Sequence, residues 1–174
     1  MPKDKTAASV NRKNEIIAAA IEVFAEIGYF KATTAQVAER AAISQPYVFK
    51  FFATKEALLL AALEVSWTRI IDAFRQVIAS AASDRLEAEL IEAYDQLLLE
   101  HKNETLLQMQ AQTISDDTIR EAMRNGFREV QGMVLEAFQK AGFPNAEDRT
   151  TIFLAKGMLC NISMALAMPE LKGI

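Results

Sequence analysis

The stretch Thr33–Lys55, TTAQVAERAAISQPYVFKFFATK, decides how this chain is read. Thr33 stands where a helix N-cap belongs, and Gln36 three residues on completes a capping-box pattern. Val37, Ala38 and Ala41 give a short apolar stripe at helical spacing. Ala42-Ile43-Ser44 makes a turn, with Ser44 placed to cap a second helix, and Pro46 falls in that helix's first turn, where a missing N–H costs little. Two short helices joined by a tight turn form a helix-turn-helix. In that arrangement the first helix braces against a nucleic-acid backbone and the second presents its side chains to the major groove.

Outward from this motif the chain is organised by long helical periodicities. Residues 1–10 are polar and are expected to be a flexible basic segment. With Arg12 and Lys13, their Lys3 and Lys5 form either an arm that strengthens contact with DNA or a solvated tail. Helix one is expected from about Asn11 to Ile27, with Ile16, Ile17, Ala20, Val23, Phe24 and Ile27 on one face and Gly28 ending it. After Thr54, a second N-cap, a long helix runs to about Ala82. Asp84 with Glu87 suggests another capped start. A short helix is expected over about Glu104–Ile114, a long one from Ser115-Asp116-Asp117 to about Lys140, and a last one over about Ala146–Met168. The expected division is therefore 1–10, a helix-turn-helix domain over 11–55, and a helical domain over 56–174.

The ordered set Ile16-Ile17-Ala18-Ala19-Ala20, Phe24, Gly28-Tyr29, Thr33-Thr34, Val37-Ala38, Ala41, Ile43-Ser44, Phe49, Phe52, Lys55-Glu56 and Leu58-Leu59 resembles the DNA-binding domain of the tetracycline-repressor (TetR) family of bacterial regulators. The resemblance covers about a quarter of the chain. It implies an all-α fold: an N-terminal three-helix helix-turn-helix domain, then a C-terminal helical bundle for ligand binding and dimerisation. Two positions depart from the family pattern. Ala42 stands where glycine is usual in the turn, which costs about 1–2 kcal/mol if the backbone there is left-handed. Phe49 replaces a common tyrosine, and Tyr47 offers a hydroxyl from elsewhere on the helix.

Composition agrees with an all-α chain. Of 174 residues, 51% are hydrophobic, and only four prolines and six glycines interrupt the periodic segments. The net charge of −4 is unevenly spread, residues 1–55 carrying +3 and the remainder −7, as suits a protein that meets a phosphate backbone with one end only. A single cysteine, Cys160, excludes an intramolecular disulfide and fits a reducing compartment. The sequence contains neither an apolar run of membrane-spanning length nor a signal-peptide core, so a cytoplasmic location is expected. With one histidine, one cysteine and no glycine-rich phosphate loop there is no evident nucleophile–base pair or metal cluster. No enzyme, cofactor or metal is therefore expected.

Roles at the DNA-binding end follow from side-chain chemistry. Lys50 and Lys55 are expected on phosphates, the latter aided by a helix N-terminus. Thr33, Thr34 and Ser44 cap helices or touch phosphate, Pro46 starts the second helix, Tyr47 meets phosphate or a thymine methyl, and Gln45 is the candidate for reading an adenine edge. Phe49, Phe51 and Phe52 are expected to include the anchors of the small domain's core. In the bundle, Trp67, Phe74, Tyr94, His101, Met109, Gln112, Met123, Phe127 and Phe153 either converge on a pocket for a mainly apolar small molecule or are plain core.

The last two helices carry apolar or small residues on more than one face, and a surface helix needs only one. Val130, Met133, Val134, Ala137, Phe138, Phe153, Gly157, Met158, Asn161 and Ala165 are accordingly expected at a homodimer interface. A dimer would set its recognition helices about one helical turn apart, or a multiple of it, and so read a roughly palindromic double-stranded operator. The expected function is a homodimeric transcriptional regulator, a repressor released by a small effector. The competing reading is a helical protein-interaction module that uses its helix-turn-helix only for packing.

Overall fold

A computed structural model describes residues 3–172, with side chains from Ser9 onward. Among these residues the chain forms eight α-helices, no strand, and one terminal 3-10 turn. They are α1 (Lys3–Ile27), α2 (Thr34–Arg40), α3 (Gln45–Val48), α4 (Lys55–Ser80), α5 (Leu86–Glu100), α6 (Lys102–Ala111), α7 (Asp117–Lys140) and α8 (Ala146–Leu166), followed by Pro169–Lys172. The segment expected to be a flexible arm falls partly outside the described residues. From Lys3 its backbone already belongs to α1, which therefore starts well before the expected Asn11.

Local signals placed most helix starts. Thr33 caps α2 by accepting from Gln36 N at 3.2 Å, while its own backbone N–H donates to Gln36 Oε1 at 2.9 Å, which completes the capping box. Thr54 accepts from Ala57 N at 3.0 Å, and Asp116 accepts from Thr118 N and Ile119 N at 2.9 and 3.0 Å. Two expected caps differ. Ser44 precedes α3 but its side chain makes no cap bond, and α5 follows Arg85 rather than Asp84, again without a side-chain bond. Both ends lie in tight turns whose backbone bonds, Tyr47 N to Ser44 O and Arg85 N to Ala82 O, already close the loop.

The same terminating motif recurs at different residues. At the end of α2, Ile43 N donates to Ala38 O and Ala42 N to Glu39 O, with Ala42 left-handed at φ +53°. At the end of α7, Phe143 N donates to Phe138 O and Gly142 N to Gln139 O, with Gly142 at φ +76°. In the second case the two flanking phenylalanines also touch, ring centres 5.1 Å apart. Ala42 thus occupies a conformation that glycine adopts without a Cβ penalty.

Helix α4 joins the two halves. Its 26 residues extend roughly 39 Å. Leu58 and Leu59 are buried against Ile16, Ala20, Phe24, Val37 and Val48 near its start, and Trp67, Ile70 and Phe74 are buried in the bundle further along. The apolar core is continuous between the halves. Helix α1 packs on α2, α4 and α6, and α4 in turn lies against α5 and α7, with α8 against α5 and α7. Among the described residues no helix is long and apolar enough to cross a membrane.

Candidate DNA-binding surface and effector cavity

The small domain holds its recognition elements by a few directional contacts. Arg40, at the end of α2, donates to Glu22 at 2.7 Å and to both carboxylate oxygens of Glu26 at 2.9 and 2.7 Å, tying α2 to α1. The hydrogen bond from Arg40 holds the Glu26 carboxyl below its usual range. Gln45 Nε2 donates to Thr34 Oγ1 at 2.8 Å, so the first residue of α3 is linked across the turn to the first residue of α2. Its side chain stays exposed, as do Thr33, Ser44, Pro46 and Lys50, while Thr34 and Tyr47 are half-buried. The Tyr47 ring stacks edge-on against Phe51, with ring centres 5.5 Å apart, and Lys50 Nζ lies 5.0 Å from its centre. The turn and α3 therefore present Thr34, Gln45, Tyr47 and Lys50 on neighbouring ground.

Lys55, expected on a phosphate, points its ammonium inward. Its ammonium donates to the carbonyls of Tyr29 at 2.8 Å and Ala32 at 3.0 Å, reaches that of Phe30 at 3.4 Å, and sits 4.5 Å from the Tyr29 ring centre. An ammonium has three donors, and all three point into the loop between α1 and α2. Phe49 also departs from expectation. It is 46% exposed at the end of α3, whereas Phe52 is buried and Phe51 half-buried. The anchors of the small core are Phe24, Val37, Val48 and Phe52.

In the bundle, α4, α5, α6, α7 and α8 enclose a cavity of about 440 Å³. Six of the expected pocket residues line it: Trp67, Phe74, Tyr94, Gln112, Phe127 and Phe153. His101, Met109 and Met123 do not. His101 lies at the α5–α6 junction, 3.6 Å from Glu104, and lines a separate groove, while Met123 is buried elsewhere in the core and Met109 is half-buried outside the cavity lining. Sequence reasoning missed Asp95, Lys156 and Lys172, which with Cys160 line one part of the cavity. There Lys172 Nζ donates to Asp95 at 2.7 Å and the Tyr94 hydroxyl to Asn161 Oδ1 at 2.8 Å. Burial pushes the Tyr94 pKa up to about 12 and raises that of the Cys160 thiol, against the pull of Lys172.

Trp67 shapes the wall opposite α7. Its ring meets Phe127 edge-on at 5.0 Å between centres. A Cβ placed on Gly126 would lie 2.2 Å from the indole, so glycine there is what admits the ring. The indole Nε1 is buried with no hydrogen-bond partner among the described residues.

The expected dimer residues divide sharply. Val130, Val134, Ala137, Phe138, Phe153 and Asn161 are buried within their own chain, and Met133, Gly157 and Met158 are half-buried, which leaves Ala165 exposed. The outward apolar face lies on α8 instead: Ile152, Ala155, Leu159, Ile162 and Leu166 are all exposed, at successive spacings of three and four residues. That is the seam pattern of paired helices.

Residues 16–62 match the profile of the family described as bacterial regulatory proteins, tetR family. The chain is 26% identical over 146 residues to the HTH-type transcriptional repressor KstR2 of Rhodococcus jostii, covering 81% of this chain and 72% of that one. It is 29% identical over 85 residues to the HTH-type transcriptional activator FasR of Mycolicibacterium smegmatis, a match covering 49% of this chain and about a third (36%) of that protein. Among solved structures, the fatty acid degradation regulator FadR of Bacillus halodurans superposes with a TM-score of 0.78 at 18% identity over 92% of this chain and 89% of that one. FadR of Bacillus subtilis, in complex with stearoyl-CoA, superposes with a TM-score of 0.75 at 19% identity, covering 91% and 90%.

Proposed function

We propose that the chain represses transcription as a homodimer and leaves its operator when a mainly apolar effector fills the bundle cavity, a reading supported by the match of residues 16–62 to the profile of bacterial regulatory proteins, tetR family. The observation that carries this reading is the pairing of an exposed recognition surface with a cavity whose walls share helices α4 and α6 with the packing around α1. A ligand that shifts those helices changes the separation of two recognition helices and spoils their simultaneous docking. The coupling is reciprocal, so DNA weakens the effector by the same factor.

Gln45 is the base-reading residue of this proposal, with Thr34 orienting its amide. Lys50 and Tyr47 serve the phosphate backbone, joined by Thr33, Ser44 and Pro46 at the start of α3. Lys55 acts one step back, by fixing the loop from which α2 starts. The α8 stripe Ile152, Ala155, Leu159, Ile162 and Leu166 forms the dimer seam against its counterpart, with α7 flanking it. Stearoyl-CoA in the Bacillus subtilis neighbour supports an effector with substantial apolar surface. The relatives include one repressor and one activator. Repression is the reading favoured for a ligand that loosens the DNA-bound geometry.

The test is salt-dependent binding to the upstream region of the protein's own gene, set against a scrambled duplex. Sequence-preferring binding at two protomers per site is expected, with Lys50→Ala weakening it on all sequences and reducing the logarithmic salt slope by about 1. Gln45→Ala relaxes preference at one base position. Absence of binding even at low salt would overturn the reading in favour of a protein-interaction module.

A further inference from the structure

The cavity is apolar over most of its wall, but its polar part has a sign. Lys172 and Lys156 both line it, against the single carboxylate of Asp95. Lys156 has no ion-pair partner among the described residues, and the Lys172–Asp95 pair joins side chains that are 40% and 43% exposed. A pair so exposed contributes little and exchanges partners readily. Asn161 accepts from the Tyr94 hydroxyl, while its amide nitrogen has no protein partner among the described residues, so further N–H donors face the same region. Neither Tyr94 nor Cys160 adds negative charge there at neutral pH, since burial raises both above their ordinary values. Two ammonium groups and an amide donor against one carboxylate leave the region short of an anion.

Size narrows the choice further. A volume of 440 Å³ falls toward the lower end of the roughly 300–1,000 Å³ that small-molecule sites occupy. That suits a chain or ring system of medium length with one small head group.

Resting on the reading of this cavity as the effector site, we propose that its ligand class is a medium-length amphiphilic monocarboxylate. The apolar body lies against Trp67, Phe74, Phe127 and Phe153, and the carboxylate replaces Asp95 as the partner of Lys172 with Lys156 beside it. Charge-assisted hydrogen bonds of this kind are stronger than neutral ones and reject a ligand that lacks the acceptor.

Trp67 is the only tryptophan and lines the cavity, so its fluorescence reports occupancy directly. The full-length protein is titrated with decanoate, decanol and decylammonium, all below their micelle concentrations. Decanoate is expected to bind at least about tenfold more tightly than decanol, with decylammonium weakest. In the Lys156→Gln/Lys172→Gln variant decanoate is expected to fall to the level of decanol, while decanol itself is unchanged. Equal or tighter binding of decanol or decylammonium, or a decanoate affinity that survives the double substitution, overturns the head-group assignment and leaves the cavity standing as an apolar effector site. If none of the three changes the Trp67 signal or the thermal midpoint, the ligand class and the effector reading of the cavity fall together.

Discussion

The two ends of α4 meet different kinds of interior. Around Leu58 and Leu59 the small domain is closed: Phe24, Val37 and Val48 are fully buried, Arg40 clamps α2 to α1, and Lys55 saturates the carbonyls of the α1–α2 loop. Around Trp67 and Phe74 the bundle is left open, with a cavity of about 440 Å³, an indole N–H without a hydrogen-bond partner among the described residues and an apolar stripe facing outward on α8. Under the proposed function, a docking surface has to hold its side chains in register before DNA arrives, and its support is accordingly complete. A domain that senses an effector and assembles would, on the same proposal, need volume and surface still to be filled. Unmet packing and hydrogen bonding in the bundle are therefore consistent with binding partners, whereas the same features beneath α3 would only weaken recognition.

Core truncation gives the largest expected contrast. Phe24→Ala empties a fully buried site in the closed core and should cost about 3–5 kcal/mol in denaturant unfolding. Phe127→Ala removes a half-buried ring that already borders the cavity and should cost clearly less. Equal losses would mean that the bundle is packed as tightly as the small domain, and would end the distinction drawn between them.

The two lysines sharpen the comparison within the DNA-binding end. Lys55→Ala is expected to destabilise the protein by about 1.5–3 kcal/mol without DNA present, because charge-assisted bonds to loop carbonyls are lost. Lys50→Ala should leave the unfolding midpoint within about 0.5 kcal/mol of the parent, since its side chain is exposed. Its effect belongs in the DNA titration. A Lys55→Ala protein of unchanged stability with a reduced salt slope would return that ammonium to the phosphate backbone.

The smallest expected effect lies in the turn. Ala42→Gly relieves a left-handed alanine but adds unfolded-state freedom, for a net stabilisation of about 0.5–1 kcal/mol by thermal unfolding. Gly142→Ala, in the equivalent position after α7, should shift stability the other way by a similar amount. If Ala42→Gly also lowers DNA affinity, the strained turn contributes to the pose of α3.

Sequence legibility followed the range of the interactions concerned. Thr33 with Gln36, Thr54, Asp116, Gly28 and Gly142 act on backbone groups within a few residues of themselves, and each was readable from spacing alone. The left-handed backbone at Ala42 was expected only through the family resemblance, in which glycine is usual at that turn position. The place of Lys55 was not legible, because its partners are carbonyls 23 to 26 residues earlier in the chain, brought near only when α1 and α4 pack. Asp95, Lys156 and Lys172 were missed for a similar reason: three ordinary surface-type charges carry no periodic signal, and only the return of the chain after α8 sets them beside one cavity.

What the sequence alone determined is the number and kind of faces: an all-α chain, a helix-turn-helix, a long connecting helix, and final helices with more apolar surface than one core can use. Which of those faces turns inward was decided by tertiary structure. Phe153 and Ile152 are neighbours of comparable hydrophobicity, yet Phe153 is buried beside Phe74 and Phe138 while Ile152 is 53% exposed. Helical periodicity fixes the angle between two side chains on one helix but not the rotation of that helix about its axis. The rotation of α8 is set by what α5 and α7 offer it. The ring contacts that bury Phe153 are the same choice that leaves Ile152, Leu159, Ile162 and Leu166 facing outward.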